Sequence, residues 1–504
     1  MTDCSFNAAK FNPNRTELPP VLLAADLAAD DVVIGAIGKD EPRLIGLSAA
    51  GLETSAEDVR SALVAQGLCG SKGKLTAITV GKTRVLAVGL GDDVDVTSEQ
   101  LRRAAGTAVR AIASGCYPST RRVAISLDTD APEQIQAVTE GALLAADSFA
   151  KISGEAPKHQ IGEIVIVAAE SDAARQAVLR GETTSSAVAV ARDWTNLPPN
   201  LMGPPEFASQ VSGYMKDVKV DVEILDEKAL AKQGFGGILA VGGGSDRPPR
   251  LVRVSYNPRG AKKHLVLIGK GITFDSGGYN IKPAGSMITM KNDMSGAADV
   301  MAAIHAIAAL ELNIQVTAYG AMAESLISGR AYRPSDVLTM HDGTTVENGN
   351  SDAEGRIVLA DAISRANQDN PDLIIDVATL TGACVSALGD RVSGLFASSD
   401  EVADQVLDAA DVSGEQFWQL PITDHIRSEI KKSQVADLLS SGSRVGGLLY
   451  SAAFLEHFVA EGGNWAHLDI AGPAWSDSAY SYIPKESTGT GVRTLVAIAE
   501  QMAD

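Results

Sequence analysis

The sequence is poor in cysteine, and its cysteines show none of the spacings that build structural sites. Four cysteines occur in 504 residues, at positions 4, 69, 116 and 384, and no two of them form a C-x-x-C pattern. This pattern disfavours a structural zinc site and a disulfide framework, and it fits a reducing compartment. We therefore expect a cytoplasmic protein.

Two further signatures are absent from the chain. The seven histidines include no H-E-x-x-H pair, so a helix-borne zinc site of that kind is not predicted. The glycine run at residues 242–245 lacks the Lys-Ser/Thr ending of a phosphate-binding P-loop. We therefore expect neither a helix-borne zinc site of this kind nor a phosphate-binding P-loop.

Positive charge is scarce, and long apolar runs are missing. Lysine and arginine number 43 against 63 acidic residues, and the formal net charge is −20. Such a charge opposes non-specific binding of nucleic acid by the surface as a whole. No apolar run is long enough to cross a bilayer, and residues 1–20 do not resemble a secretory signal. We expect neither a membrane nor a nucleic-acid partner.

The chain alternates short apolar strands with alanine-rich helical segments, which is typical of an α/β fold. An N-terminal α/β domain is predicted over residues 1–171, and a connecting helix over residues 172–194 that ends before Pro198 and Pro199. A larger α/β domain with a mixed central sheet is predicted over residues 195–504. Its predicted strands lie at residues 220–224, 251–256, 264–268, 315–322 and 373–378, and its helices at residues 297–310 and 353–368.

Acidic and basic side chains concentrate in four glycine-rich segments, GKGITFDSGG, IKP, KNDM and NSDAEGR. Close packing of their four carboxylates without cations would raise their pKa values until some took up protons. Divalent cations remove this repulsion, and carboxylate oxygens suit Mg²⁺, Mn²⁺ or Zn²⁺. The pattern therefore predicts a metal-dependent hydrolase. The side chains concerned are Lys270, Asp275, Lys282, Asp293, Asp352, Glu354 and Arg356.

The local structure of NSDAEGR is open at this point. An extended segment would place Asp352, Glu354 and Arg356 on one face. A helix that begins at Ala353 would instead make Asp352 its N-cap and place Glu354 in the first turn. Lys270 and Asp275 are expected just beyond a buried strand that ends at residue 268.

Together these motifs resemble the leucyl aminopeptidase family, the cytosolic two-metal exopeptidases. The resemblance extends to ARDWTNLPPN, DVATLTGA and WAHLDIAGPAW, and so covers most of residues 190–504. It implies an aminopeptidase that releases N-terminal, preferentially leucine-like, residues from short peptides by attack of a metal-activated water. Such an enzyme would serve intracellular peptide turnover.

The resemblance also implies a set of metal ligands. Two divalent ions per subunit, Mn²⁺ or Zn²⁺, would share Asp275 and Glu354. Lys270 and Asp293 would bind one ion, and Asp352 the other. Lys270 would have to be neutral to act as a ligand, because an ammonium group has no free electron pair.

Other roles follow from the same resemblance. Lys282 would donate to the oxyanion of the tetrahedral intermediate, and Arg356 would hold a bicarbonate that acts as general base. The substrate would be bound by Met290, Thr379, Leu380 and Gly382. A serine, Ser351, stands where the family usually has threonine and keeps the hydroxyl group.

The resemblance further implies a homohexamer with active sites that face an inner cavity. Two alternatives remain open from the sequence. One is a binding or regulatory oligomer, because some relatives act on DNA as architectural proteins. The other is a two-metal phosphoester hydrolase, which usually has histidine ligands and a phosphate pocket.

Overall fold

The computed structural model describes residues 18–24, 29–39, 41–47, 55–92, 95–115, 121–129, 131–149, 152, 161–443 and 445–503. The chain divides into two compact units. The larger unit takes in Val190–Trp475 and Ser487–Asp504, and the smaller unit Asn12–Ala189 and Ser476–Glu486.

The smaller unit is built on a sheet whose strand order is β1-β7-β6-β2-β5-β4, with β3 paired to β2. Neighbouring strands pair in parallel, except that β3 is antiparallel to β2 and β4 is antiparallel to β5. All seven residues of β2 are buried, which explains its nearly continuous apolar sequence. The strands are β1 (Val21–Ala24), β2 (Asp31–Ile37), β3 (Arg43–Ile45), β4 (Leu75–Val80), β5 (Thr83–Gly91), β6 (Arg121–Ile125) and β7 (Ile161–Val167). The helices are α1 (Ala56–Ala65), α2 (Ser98–Ala113), α3 (Pro132–Ala146) and α4 (Asp172–Asn196).

The helix α4 covers the segment predicted to connect the domains. It ends just before Pro198 and Pro199, because a residue that precedes proline is disfavoured in the α conformation. The division between the two units falls within this helix, after Ala189.

The larger unit is built on a mixed sheet of strand order β16-β15-β18-β14-β10-β11-β9-β8. Its centre is parallel, and β8, β9 and β15 introduce antiparallel pairs. The strands are β8 (Asp221–Leu225), β9 (Arg250–Tyr256), β10 (His264–Asp275), β11 (Gln315–Ser325), β14 (Leu373–Ala378), β15 (Ser393–Ala397), β16 (Phe417–Gln419) and β18 (Trp465–Asp469). Two smaller sheets contain β12 (Val337–Thr339), β13 (Thr345–Glu347) and β17 (Leu438–Leu439), and β19 (Trp475–Ser476) and β20 (Glu486–Ser487).

Helices and short 3-10 turns connect these strands. The helices are α5 (Pro204–Tyr214), α6 (Glu227–Gln233), α7 (Gly236–Gly242), α8 (Ala284–Met287), α9 (Ser295–Ala309), α10 (Glu354–Ala366), α11 (Gly382–Leu388), α12 (Asp400–Ser413), α13 (Asp424–Glu429), α14 (Gly447–Glu456) and α15 (Val492–Ala503). The 3-10 helices are Met215–Asp217, Met290–Met294, Ser351–Ala353 and Asn367–Asp369. Within the described ranges, no helix combines the length and hydropathy that a bilayer crossing requires.

The predicted α/β class with a mixed central sheet is confirmed, but two local predictions are wrong. Strand β10 does not end at residue 268; it continues through Asp275, so Lys270 and Asp275 belong to the strand itself. The extended form of NSDAEGR is also wrong. A 3-10 turn is followed directly by α10, whose N-cap is Ala353 rather than Asp352.

Glycines allow helix α9 to lie unusually close to the central strands. A Cβ atom on Gly269 would lie 2.3 Å from the Cα of Ala297, and one on Gly296 would lie 2.0 Å from the carbonyl oxygen of Val377. Real Cβ atoms do not approach backbone atoms this closely, so neither glycine can be replaced without movement of the backbone. The close approach fixes the start of α9 beside the strand that carries Lys270.

We expect the substitution Gly269→Ala to lower the free energy of unfolding by about 1–3 kcal/mol or more, because the new methyl group overpacks a backbone contact. Thermal and denaturant unfolding measure the effect. Gly285→Ala is the control, since a Cβ atom there meets nothing within 4 Å. Equal stability of the two variants would contradict the prediction.

Candidate metal centre

Three neighbouring elements bring the predicted ligands together at the carboxyl end of the central strand. Lys270 and Asp275 lie on β10, Asp293 lies on the 3-10 helix that precedes α9, and Glu354 is the first residue of α10. Ligand sites of open α/β sheets collect at this edge, because parallel strands all end there.

Three carboxylates, which we call the acid triad, share one small volume. Carboxylate oxygens of Asp275, Asp293 and Glu354 all lie within 4.8 Å of one another. Their side chains are almost fully buried. Burial of three adjacent anions is unfavourable unless cations neutralise them.

Two lysines form ion pairs with the acids in this structure. The Nζ atom of Lys270 lies 2.8 Å from Asp293 Oδ1 and 2.9 Å from Glu354 Oε1. The Nζ atom of Lys282 lies 2.7 Å from Asp275 Oδ2 and 2.6 Å from Asp352 Oδ1. The structure therefore brings all four predicted acids and both predicted lysines into one network, with Asp352 joined to the triad through Lys282.

The network shifts the pKa values of its members in opposite directions. Burial, and then the charges on Glu354 and Asp293, raise the pKa of Asp275. Burial also raises the pKa of Asp293 to about 6, although the ammonium group of Lys270 opposes the rise. Burial favours a higher pKa for Glu354, but the positive charges of Lys270 and Lys282 outweigh burial and lower the pKa to about 2.

Two buried oxygens of the acid triad suit a divalent cation. Asp293 Oδ2 and Glu354 Oε2 are buried, and neither has a hydrogen-bond partner among the residues that the structure describes. Buried carboxylate oxygens normally have one, and an oxygen that binds a metal ion is a common exception. Hard oxygen donors of this kind fit Mn²⁺, Mg²⁺ or Zn²⁺.

Glycine at position 355 leaves room for one of the lysines. A Cβ atom there would lie 2.5 Å from Cε and 2.7 Å from Nζ of Lys270. The first turn of α10 thus places Glu354 beside Lys270, and the absence of a side chain at Gly355 leaves room for the lysine side chain. This explains the Glu-Gly sequence at the start of the helix.

Ser351, the serine that replaces the family's usual threonine, links the turn that follows β10 to the 3-10 helix that carries Asp352. Its Oγ donates to the carbonyl oxygen of Gly277 at 2.7 Å and accepts from the Asn280 N–H at 2.8 Å. Tyr332 donates from its hydroxyl to the Ser351 carbonyl oxygen at 2.8 Å. The sequence motifs gave no indication of Tyr332, which lies outside all of them.

Of the predicted substrate-binding residues, Thr379 contacts the acids directly, and the other three are placed by the elements to which they belong. Thr379 touches the network directly, because its carbonyl oxygen accepts from Lys270 Nζ at 3.2 Å and its Oγ1 donates to Asp293 Oδ1 at 2.8 Å. Met290 begins the 3-10 helix that carries Asp293. Leu380 is partly buried against the core of the larger unit, and Gly382 begins α11.

Arg356 is buried without an anionic partner among the described residues. Its Nη1 donates to the carbonyl oxygen of Ser440 at 2.9 Å, and its Cζ lies 6.0 Å from the ring centre of Tyr450. Its Nε has no hydrogen-bond partner. Burial lowers the pKa of this guanidinium to about 10. An unpaired donor on a buried cation suits a small anion.

The chain is similar to known proteins over most of its length. Residues 189–496 match the family described as the cytosol aminopeptidase family, catalytic domain, and residues 40–153 match the N-terminal domain of the same family. A probable cytosol aminopeptidase from Cutibacterium acnes is 47% identical, over 97% of this chain and 98% of that protein.

Solved structures of two enzymes are also similar. A bottromycin maturation enzyme in complex with Mn is 36% identical with a TM-score of 0.83, over 95% of this chain and 100% of the other. A mutant of tomato leucine aminopeptidase is 30% identical with a TM-score of 0.86, over 97% of this chain and 98% of the other.

We expect the affinity for Mn²⁺ to increase with pH between roughly pH 5 and 8, because metal ligands must be deprotonated. Burial raises the pKa values of Asp275 and Asp293. Burial opposes a rise in the pKa of Lys270, but the charges of Asp293 and Glu354 raise it nonetheless. Each proton released should add about tenfold in affinity per pH unit. Calorimetric titration in two buffers of different ionisation enthalpy counts the protons. Affinity that does not change with pH would contradict this expectation.

Proposed function

The chain belongs to the cytosol aminopeptidase family, and we propose that its active site is the network of Lys270, Asp275, Asp293, Asp352 and Glu354. The protein is a metal-dependent aminopeptidase, and its substrates are peptides, from which it removes N-terminal residues. The observation that carries the proposed site is the pair of buried triad oxygens, on Asp293 and Glu354, for which the described part of the chain offers no hydrogen-bond partner.

The proposed ligand set serves two divalent ions. Asp275 and Glu354 would be shared, Lys270 and Asp293 would hold one ion, and Asp352 the other. When bound, such ions activate a water molecule and polarise a carbonyl group. Mn²⁺ is supported by its presence in the similar bottromycin maturation enzyme, and Zn²⁺ by its acceptance of the same oxygen and nitrogen donors.

Lys282 is proposed to stabilise the oxyanion that forms on the first carbonyl of the substrate. Its ammonium group bridges Asp275 and Asp352 in this structure, and it would be free to donate to the substrate where divalent ions held those two carboxylates. The carboxylates also raise the pKa of Lys282, although burial opposes the rise, and so keep it protonated. A fixed positive charge in a site closed to water stabilises a developing negative charge strongly.

Arg356 is proposed to hold a bicarbonate that accepts a proton from the attacking water. The support is its buried guanidinium, whose Nε donor has no partner. Burial lowers the pKa of this guanidinium, and the nearby charges of Tyr450, Glu354 and Asp469 oppose that change, so an anion on Arg356 would lie near the triad. On this proposal the general base is not a protein side chain.

The TLTG segment, residues 379–382, is proposed to bind the backbone of the substrate. Thr379 already contacts Lys270 and Asp293, so a peptide aligned on this segment would have its first carbonyl close to the acids. Met290 and Thr379 would line the pocket for the first side chain. An apolar pocket separates similar side chains by only about 1–3 kcal/mol, so we expect a graded preference for leucine-like residues.

Cytoplasmic location and a role in turnover of short peptides are also part of the proposal. They are supported by the name of the matched family and by the cysteine pattern. The phosphoester hydrolase considered from the sequence is set aside, because the matched relatives are named as aminopeptidases.

We expect Glu354→Gln to reduce hydrolysis of leucyl anilides in the presence of Mn²⁺ by several orders of magnitude, because the proposed bridging carboxylate is lost. Release of the chromogenic amine measures the rate. Glu140→Gln is the control, because Glu140 is a similarly buried carboxylate that pairs with Arg102 at 2.9 Å in the smaller unit. Hydrolysis by Glu354→Gln at the wild-type rate would reject the proposed site.

We expect the purified protein to form particles of six chains, because the resembling family assembles in this way around an inner cavity. Light scattering coupled to size-exclusion chromatography measures the mass directly. Hydrolysis rates for a series of peptides of increasing length test whether the active sites face an inner cavity, since short peptides should then react faster than folded proteins. A stable monomer with full activity would reject the hexamer proposal.

A further inference from the structure

We infer that Asp469, the last residue of β18, is a positioning residue that holds the TLTG segment in the conformation needed for substrate binding. This inference rests on the proposed role of that segment. Asp469 lies in the WAHLDIAGPAW motif, but its position in the sequence does not indicate which groups it contacts.

The carboxylate of Asp469 accepts four hydrogen bonds. Its Oδ1 accepts from the backbone N–H groups of Leu380 at 3.2 Å, Thr381 at 3.4 Å and Ala471 at 3.2 Å. Its Oδ2 accepts from Thr381 Oγ1 at 2.7 Å. Three of the four donors belong to the TLTG segment, and the side chain of Asp469 is only 1% exposed.

The sheet explains why a carboxylate is needed here. Strands β14 and β18 pair in parallel up to Ala378 and Asp469, and the N–H of Ile470 still donates to the carbonyl oxygen of Ala378 at 2.8 Å. The chain beyond Ala378 leaves the sheet, so the N–H groups of Leu380 and Thr381 have no strand partner. Buried N–H groups without partners are costly, and Asp469 supplies the acceptor.

Asp469 also helps to start the helix that follows the segment. The Thr381 Oγ1 that donates to Asp469 accepts from the backbone N–H of Cys384 at 3.0 Å and so caps α11. The hydroxyl proton of Thr381 is directed to the carboxylate, which leaves its oxygen free to accept. Segment and helix are therefore fixed by the same side chain.

The opposite end of the segment reaches the acid triad through Thr379. That residue contacts Asp293 and Lys270, as described above, and it stands one residue before the first amide held by Asp469. Loss of Asp469 would thus act on the reaction through the TLTG segment. Asp469 itself forms no ion pair with the lysines of the network.

Asp361 provides a matched comparison. It is also a fully buried aspartate that accepts backbone N–H groups, from Ile238 at 2.9 Å and His341 at 2.9 Å. Those amides belong to segments outside residues 379–382. Removal of either carboxylate should lower stability, whereas only Asp469 should affect binding of the substrate.

The test compares Asp469→Ala, Asp469→Asn and Asp361→Asn in the full-length, Mn²⁺-loaded protein. Hydrogen–deuterium exchange reports on the amides of Leu380 and Thr381, and steady-state kinetics with leucyl anilides separates KM from kcat. For Asp469→Ala we expect amide exchange and KM each to rise roughly tenfold or more. Asp469→Asn, which retains one acceptor oxygen, should show a smaller rise. Asp361→Asn should leave both quantities unchanged.

Thr381→Val supplies a second test if Asp469→Ala does not fold, because it removes the hydroxyl contact to Asp469 at 2.7 Å and the cap on α11 but keeps the carboxylate and its backbone N–H partners. Faster exchange together with a higher KM in Thr381→Val or Asp469→Asn supports the inference. Unchanged exchange overturns it, and so does faster exchange with an unchanged KM. Failure of the proposed active site is recognised separately, by full activity of Glu354→Gln, and does not alter the exchange result.

Discussion

Three buried carboxylates in the larger unit repel one another, and the structure around them must offset that repulsion. Asp275, Asp293 and Glu354 come from three different elements and share one small volume, so each is unfavourable without a neutralising cation. In this structure Lys270 and Lys282 supply the positive charge. Glycines at the start of α9 and in the first turn of α10 leave the space in which these side chains meet.

In the proposed mechanism the same constraint links metal binding to catalysis. Lys282 pairs with Asp275 and Asp352 in this structure, and it would be available to a substrate where divalent ions held those two carboxylates. Thr379 joins the acid triad to the TLTG segment, and Asp469 holds that segment from the other side. The proposed substrate contact is therefore built from loop backbone whose position is set by buried side chains rather than by the sheet.

Much of the fold and most of the candidate site could be predicted from the chain. Buried parallel strands such as β10 have nearly continuous apolar sequences, and the motifs between residues 270 and 356 identify the acids and lysines that the structure brings together. The conformation of NSDAEGR could not be predicted, because the pattern fits a strand and a helix start equally well. The Asn350 side chain, which accepts from the Asp352 N–H, and the packing of α10 decide it.

The sequence by itself determined the chemistry available to this protein: hard oxygen ligands, two lysines and an arginine, in motifs that resemble one enzyme family. Only the tertiary structure decided which oxygens lack partners, which lysine faces which acid, and that Asp469 holds residues 380 and 381. Those properties depend on distances of a few ångströms between residues that are far apart in the chain; Leu380 and Asp469, for example, are 89 positions apart. A linear pattern carries residue types, whereas distances arise only when strands and helices pack.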